Sequence, residues 1–350
     1  MTRVSIMRRT MAAFIMTMML FGLPGMGTGE QMIEFNNKLA ESGNDPWVVF
    51  QDEAYYYCWS GYGGVCVARV RNLPDIGDAY LLPENEKIQA RLVWTPEDSR
   101  YSQEIWAPEM HFLDGKWYIY VAADDGNNDH HRMLCLEART DDPLDGFVQK
   151  GIVRARNNRW AIDGTILEYG GKRYFIWSGW DRDENVAQNL YIAEMENPWT
   201  IRGNRVLISR PELPWECVGD PLVNEGPTAL VLNGKVYIIY SASGSWTDDY
   251  CLGMLTLTGD DPLLRNAWTK SEQPVFRKTD QVFGPGHASF TTSPDGSRHY
   301  MAYHANEESG SSWGGRKLWV QEFTVDAQND PVFGTPLPAG SMQTIPANGT

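Results

Sequence analysis

The chain has 350 residues with 45 acidic and 30 basic side chains, which gives a formal net charge of −15 at pH 7. Such a surface repels nucleic acids and anionic membranes, so we expect neither as a partner, whereas a neutral carbohydrate is tolerated. The five cysteines show no Cys-x-x-Cys spacing, which argues against a structural zinc site.

The N-terminus has the order of a secretory signal. Three arginines are followed by an apolar run over residues 11–23 and then by small residues through Gly29. The apolar run is short for a membrane span. We therefore assign residues 1–29 to a signal peptide and expect a secreted or periplasmic protein.

A short pattern recurs five times after the signal. Each copy has a turn with Gly, Asp or Asn and then an aromatic-rich alternating strand that ends in small residues. The copies are QDEAYYYCWSG from Gln51, LDGKWYIYVAA from Leu113, YGGKRYFIWSG from Tyr169, LNGKVYIIYSASG from Leu232 and PDGSRHYMAYHA from Pro294. Successive turn residues are 62, 56, 63 and 62 positions apart. This period in β-rich units indicates a radially repeated sheet.

We predict an all-β fold, a five-bladed β-propeller that forms one catalytic domain over residues 30–338. Residues 339–350 are rich in small side chains, and we expect them to form a frayed C-terminal tail. In an oxidising compartment, Cys58 and Cys66 could pair across a hairpin.

A second element recurs seven or eight positions before each turn. Its central residues, separated by 62, 56, 62 and 62 positions, are Asp45, Ala107, Asp163, Glu225 and His287. Equivalent positions in a radial fold lie at equal height around one axis, so these side chains should converge on the central channel. Gathering ionisable groups at the axis costs free energy through repulsion and desolvation, and a purely structural repeat does not need them there. The pattern therefore predicts a functional site.

Facing carboxyl groups are what glycoside hydrolysis requires. One delivers a proton to the leaving oxygen, and another, ionised, activates water or attacks the sugar. A third raises the pKa of the acid. Asp45, Asp163 and Glu225 supply this set, and the longer glutamate suits the acid. Each of the three taken singly could be a turn or loop residue, but their common repeat phase favours function.

Three tryptophans lie beside the recurring positions, namely Trp47, Trp106 and Trp160. Flat rings stack on sugar faces, and propellers also use tryptophan to pack one sheet on another. We expect these three to wall a small sugar pocket, with Trp106 the foremost sugar contact.

At these motifs the mature sequence resembles glycoside hydrolase family 43. The motifs are Asn44-Asp45-Pro46-Trp47, Trp106-Ala107-Pro108-Glu109, Ala161-Ile162-Asp163-Gly164-Thr165, Asn224-Glu225-Gly226-Pro227 and Gly284-Pro285-Gly286-His287-Ala288. The resemblance implies a five-bladed propeller, inversion at the anomeric carbon, Asp45 as general base, Asp163 as pKa modulator and Glu225 as general acid.

The resemblance also implies that His287 and Arg316 shape the site and contact substrate. His287 matches a position often tied to a central calcium or its waters. We expect no required cofactor, with a structural calcium in the channel and His287 as its ligand left open.

Further motifs, at residues 121–126, 189–193 and 240–246, resemble secreted α-L-arabinofuranosidases. We expect release of terminal α-L-arabinofuranosyl units from arabinan or arabinoxylan. The alternatives within the family are a β-xylosidase and an endo-arabinanase. Outside it, a catalytically silent carbohydrate-binding propeller and a β-fructosidase that uses Glu216 stay open, although Glu216 lies nine residues off the repeat phase.

Overall fold

The computed structural model describes residues 31–349. The predicted signal peptide, residues 1–29, lies outside the described residues. Within 31–349 no helix has the length and apolar character that a membrane span requires.

The described residues form 23 strands joined by short 3₁₀ helices. In chain order the strands are β1 (Met32–Asn36), β2 (Lys38–Ala40), β3 (Trp47–Gln51), β4 (Ala54–Gly61), β5 (Gly64–Val70), β6 (Ile88–Trp94), β7 (Gln103–Leu113), β8 (Lys116–Asp124), β9 (Arg132–Ala138), β10 (Phe147–Val153), β11 (Ala161–Tyr169), β12 (Lys172–Trp180), β13 (Ala187–Asn197), β14 (Thr200–Ser209), β15 (Leu222–Leu232), β16 (Lys235–Ala242), β17 (Cys251–Leu257), β18 (Trp268–Lys270), β19 (Phe283–Thr292), β20 (His299–Asn306), β21 (Lys317–Val325), β22 (Pro331–Val332) and β23 (Met342–Pro346). The 3₁₀ helices are Leu73–Leu81, Ser99–Tyr101, Asn128–His130, Pro143–Asp145, Pro214–Glu216, Arg265–Ala267 and Ser312–Gly315.

Most of these strands form antiparallel sheets that coincide with the sequence repeats. The sheets are β3–β6, β7–β10, β11–β14, β15–β18 and β19–β21 with β2. Their first strands, β3, β7, β11, β15 and β19, contact one another in cyclic order, and β19 returns to β3. The sheets are therefore arranged radially around one axis, and the prediction of an all-β propeller is confirmed.

The recurring turns explain why each repeat folds as a hairpin. In the first four sheets a two-residue loop joins the first strand to the second, as between Leu113 and Lys116. Both loop residues have positive φ, for example 52° at Asp114 and 78° at Gly115. Asp, Asn and Gly tolerate this conformation, which matches the twist of the flanking strands.

Both ends of the described chain are held by pairing. Strand β2 adds to β21 and completes the fifth sheet, while β1 pairs with β23. The expected frayed tail is therefore wrong for residues 342–346. Met342–Pro346 is a strand, and the Ile345 side chain is buried in the core with Phe35.

The disulfide that the sequence left open between Cys58 and Cys66 is not formed. Cys66 is paired opposite Trp59, one residue beyond Cys58. Since neighbouring side chains on a strand point to opposite faces, Cys58 packs between the first and second sheets and Cys66 packs on the other face. Both are free thiols.

Candidate functional site

The inner strands carry a repeated irregularity where the predicted site residues lie. The strand pairing is interrupted at residues 107–108 of β7, 163–164 of β11, 226–227 of β15 and 287–288 of β19. The first residue of each interruption has a left-handed backbone, with φ of 45° at Ala107, 53° at Asp163 and Gly226, and 49° at His287. Asp45, just before β3, has φ 45°. Bulges of this kind re-aim side chains toward a site.

The position equivalent to Asp163 and His287 is therefore Gly226, and the sequence-based alignment of Glu225 is wrong by one residue. A Cβ at Gly226 would lie 3.1 Å from Cγ and Nδ1 of His287. Glycine leaves room for that ring, and the carboxyl group comes instead from Glu225, which is still paired with Ser241.

One cavity of about 840 Å³ brings most of the predicted site residues together. Its walls include Asp45, Asp163, Glu225, His287, Arg316, Trp106 and Trp160. The three carboxyl groups thus face a single space that is large enough for a sugar.

Asp45 occupies the most cationic part of this cavity. Its Oδ1 lies 3.1 Å from Nδ1 of His287 and 3.6 Å from Nη1 of Arg316. Burial opposes ionisation, but the charges of His287 and Arg316 outweigh it and hold the pKa of the Asp45 carboxyl well below its usual range. Asp45 is therefore ionised, as a general base must be.

Two histidines flank Asp45 in different states. Burial works against the charged form of His287, but Asp45 and Asp163 raise its pKa to about 10, so it is an imidazolium at neutral pH. Burial and Arg316 lower the pKa of His304 to about 3. Nδ1 of the neutral His304 accepts the backbone N–H of Asp45 at 3.2 Å, which fixes the backbone that carries the carboxylate.

Glu225 has the opposite electrostatics. Burial, followed by the negative charge of Asp163, raises its pKa to about 7. Its Oε1 accepts a hydrogen bond from the hydroxyl of Tyr250 at 2.9 Å. Glu225 can therefore stay protonated near neutral pH, as a general acid requires.

Asp163 acts on both Glu225 and His287. Its Oδ2 accepts the N–H of Gly226 at 2.9 Å, so it is tied to the backbone next to Glu225. Burial raises the pKa of Asp163, and the charge of His287 opposes that rise. Asp163 influences both Glu225 and His287 through its charge, which is consistent with the predicted modulator.

Two of the three predicted tryptophans wall the cavity. The Trp106 ring stacks on His131 with 4.0 Å between centroids, and its Nε1 donates to Glu104. The Trp160 ring stacks on Trp180 at 4.6 Å, and its Nε1 donates to the carbonyl of Asn128.

Trp47 does not line the cavity, in contrast to the prediction. Its ring lies 4.8 Å from that of His111, and its Nε1 donates to the carbonyl of Met110 at 2.7 Å. Trp47 lies within β3, where its side chain points into the interface between the first and second sheets. It packs one sheet against another, the alternative that propellers commonly use.

Three aromatic residues of the site escaped sequence reasoning. Tyr250 contacts Glu225, and Trp246 and Trp313 line the cavity with their rings 6.0 Å apart and nearly perpendicular. Trp313 is 57% exposed, which is unusual for so large an apolar side chain. Trp246 and Trp313 lie in Gly- and Ser-rich loops, and tryptophan in such loops is the signal that would have found them.

A structural calcium in the channel, with His287 as its ligand, stays a prediction. Calcium takes six to eight oxygen ligands, whereas Nδ1 of His287 is engaged by Asp45. Within residues 31–349 no three His, Cys, Asp or Glu side chains are grouped to hold a metal ion.

Glu216, the residue of the β-fructosidase alternative, lies outside the cavity. It is fully buried, forms an ion pair with Lys270 at 2.9 Å and accepts hydrogen bonds from Tyr240 and from the side chain of Asn224. This placement makes it a structural support for the strand that carries Glu225.

Comparison with known proteins agrees with this geometry. Residues 36–331 match the family described as glycosyl hydrolases family 43. The extracellular exo-α-(1→5)-L-arabinofuranosidase of Streptomyces avermitilis is 35% identical over 97% of this chain and 72% of its own length. α-L-Arabinofuranosidase 43 of Humicola insolens is 33% identical over 92% of this chain and 68% of its own length.

A solved structure gives the same result. The crystal structure of α-L-arabinofuranosidase from Lactobacillus brevis superimposes with a TM-score of 0.79 at 34% identity, covering 87% of this chain and 97% of that one. The sequence match over most of the chain, the shared fold and the cluster of three carboxyl groups lead to one conclusion: the chain belongs to glycosyl hydrolase family 43.

Proposed function

We propose that the protein is an inverting glycoside hydrolase that releases terminal α-L-arabinofuranosyl units from arabinan- or arabinoxylan-type polysaccharides and oligosaccharides. The observation that carries the proposal is the pair of carboxyl groups in one cavity whose pKa values are driven in opposite directions. Asp45 is held ionised, while the pKa of Glu225 is raised to about 7. Between these two values the site contains a base and an acid at once.

The reaction follows from these two states. Asp45 removes a proton from a water molecule, whose oxygen forms a bond to the anomeric carbon. The bond from that carbon to the leaving oxygen breaks, and the electron pair goes to the oxygen, which takes the proton of Glu225. Attack on the face opposite the leaving group inverts the configuration.

The surrounding residues prepare this step. His287 and Arg316 stabilise the negative charge of Asp45 before the reaction, and Asp163 favours the protonated form of Glu225 by repulsion. As Asp45 gains a proton and Glu225 loses one, the summed charge of the Asp45, Asp163 and Glu225 carboxyl groups is unchanged.

The choice of an arabinofuranosyl substrate is supported by the names of the similar proteins. Relatives at 35% and 33% identity and a structure at 34% identity are arabinofuranosidases. Trp106 and Trp160 offer aromatic surface beside the carboxyl groups, on which a sugar ring can stack.

We also infer that the enzyme is secreted or periplasmic and that its partner is carbohydrate. Two similar Streptomyces proteins are named extracellular, and the N-terminal sequence has the order of a secretory signal. Plant polysaccharides are too large to enter a cell, which suits this location.

The test is a panel of aryl α-L-arabinofuranoside, aryl β-xyloside, arabinan, arabinoxylan and xylo-oligosaccharides, with product analysis and NMR of the first anomer released. We expect free arabinose of inverted configuration from chain ends. Retention would contradict the mechanism. Faster cleavage of β-xylosides would favour a β-xylosidase, and mid-chain cuts in debranched arabinan would favour an endo-arabinanase. Binding without hydrolysis would favour a catalytically silent carbohydrate-binding propeller.

A further inference from the structure

Two tryptophans of the cavity wall, Trp246 and Trp313, have no role in the reaction described above. Trp246 follows β16 and Trp313 precedes β21, so they belong to the fourth and fifth sheets. Trp106 and Trp160 belong to the second and third sheets. Because the sheets are arranged radially, the two pairs lie on different sides of the cavity. Its volume of about 840 Å³ has room for more than one pentose.

The loop that carries Trp246 lies against the general acid. It spans residues 243–250 between β16 and β17, and Tyr250 at its end donates a hydrogen bond to Oε1 of Glu225 at 2.9 Å. In the proposed step Glu225 protonates the oxygen of the leaving group. The part of the substrate beyond the scissile bond therefore lies on the side of the cavity that this loop forms.

Trp313 is exposed to solvent and yet fixed in position. Its side chain is 57% exposed, while its Nε1 donates to Oγ of Ser245 at 3.1 Å. The Ser245 carbonyl accepts a hydrogen bond from Arg316 at 3.2 Å, and the Ser312 carbonyl accepts one from Asn306 at 3.1 Å. A large apolar ring that stays open to water gives up the free energy of burial. Its ordered exposure beside the cavity indicates contact with a ligand.

Trp246 supports this exposed ring from the protein side. The two ring centroids are 6.0 Å apart, with an angle of 76° between the ring planes. The Trp246 ring packs on Gly244 and Gly219, where an added Cβ would come within 2.7 and 3.1 Å of it. One ring is thus packed against the backbone, and the other keeps apolar surface available at the mouth of the cavity.

We propose that Trp313, supported by Trp246, stacks on the sugar chain beyond the scissile bond and makes the enzyme prefer oligosaccharide ends to glycosides with a small leaving group. The inference rests on the proposed function. The C–H faces of sugar rings pack on aromatic surface. The formal net charge of −15 disfavours an acidic chain, so the occupant is a neutral pentose chain that continues from the site beside Glu225.

The test compares a substrate that has a leaving sugar with one that has none. Trp313→Ala should lower the ratio of kcat/KM on α-1,5-L-arabinotriose to kcat/KM on methyl α-L-arabinofuranoside by about tenfold, because only the former has a ring to stack. Trp313→Phe keeps an aromatic face and should lower the ratio by about threefold or less. The control is Tyr62→Ala, which removes an aromatic ring that is 56% exposed in the turn between β4 and β5, outside the cavity walls.

Binding without turnover gives an independent readout. In the Glu225→Gln background, Trp313→Ala should raise the Kd of arabinotriose about tenfold by titration calorimetry, and Tyr62→Ala should leave it within about twofold. Equal losses on the two substrates in Trp313→Ala, or an unchanged Kd, would overturn the proposal. If the wild-type protein hydrolyses no glycoside, the proposed function fails instead, and the calorimetry still decides whether Trp313 binds the sugar chain.

Discussion

The hydroxyl of Tyr250 donates a hydrogen bond to Oε1 of Glu225 at 2.9 Å, while the Tyr250 ring stacks on His304 with 5.6 Å between centroids. Because Oε1 accepts this bond, the acidic proton of Glu225 belongs on Oε2. Tyr250 is fully buried, so the geometry is rigid. Tyr250 thus determines which oxygen of Glu225 carries the proton for the leaving group. It also packs against His304, which holds the backbone of Asp45.

Replacing Tyr250 with phenylalanine should separate these two contributions, because the ring stays and the donor is lost. The hydroxyl stabilises ionised Glu225, so its loss should raise the pKa of Glu225 and move the alkaline limb of the kcat/KM profile up by about one pH unit. Rates on oligosaccharides should fall more than rates on an aryl glycoside. Tyr55→Phe, which removes a hydroxyl bonded to a backbone carbonyl outside the cavity, is the control. An alkaline limb that stays in place would refute the assignment.

The wild-type pH profile follows from the two carboxyl pKa values. The reaction needs protonated Glu225 and ionised Asp45. Since the pKa of Glu225 is about 7 and that of Asp45 lies well below its usual range, kcat/KM on oligosaccharides should fall tenfold per pH unit above about pH 7. The acid limb should lie below the ordinary carboxyl range. An activated aryl glycoside, which needs little protonation, should show a weaker alkaline limb when both substrates are followed by initial rates.

Alanine at the acid and at the base should give different substrate patterns. Glu225→Ala should lose about 10²–10⁴-fold on oligosaccharides and far less on an activated aryl glycoside, because only the former needs a proton on the leaving oxygen. Asp45→Ala should abolish both. Glu216→Gln serves as the control: breaking its pair with Lys270 should lower the melting temperature but leave the ratio of the two rates unchanged. Equal losses on both substrates in Glu225→Ala would exclude it as the acid.

The left-handed glycine beside Glu225 offers a test of packing at the site. Gly226→Ala places a Cβ 3.1 Å from the His287 ring, in addition to the conformational cost of φ 53°. Gly234→Ala is matched to it, since Gly234 lies in the same sheet with φ 81° and has no atom within 4 Å of an added Cβ. Both should lose about 1 kcal/mol of stability from the backbone, measured by denaturant unfolding. Only Gly226→Ala should also lower kcat, by displacing His287 from Asp45. Similar kcat values in the two variants would show that His287 tolerates the contact.

Sequence periodicity located Asp45 and Asp163 because both occupy a left-handed position that recurs seven residues before a turn. Glu225 was identified only because it is next to the repeat position, which is Gly226. The spacing of residue types does not show where a strand has a bulge, so the alignment was wrong by one residue. The predicted position of Trp47 was wrong because proximity to Asp45 in the sequence does not tell to which face of the strand the side chain points. Tyr250 could not have been found, since its contact with Glu225 joins a loop to a strand 25 residues earlier and has no counterpart in the other repeats.

The pairing of both chain ends has a consequence for folding speed. The fourth strand of the last sheet comes from Lys38–Ala40, and the Asn37 side chain donates to the carbonyl of Leu337, 300 residues later. Bringing such distant residues together costs chain entropy before the contacts that offset this cost can form. We therefore expect slow folding for a chain of this size. The cavity walls from β3 and β19 meet only when that closure occurs. An N-terminal fragment that stops before β19 therefore lacks His287 and Arg316 and should not hydrolyse a glycoside.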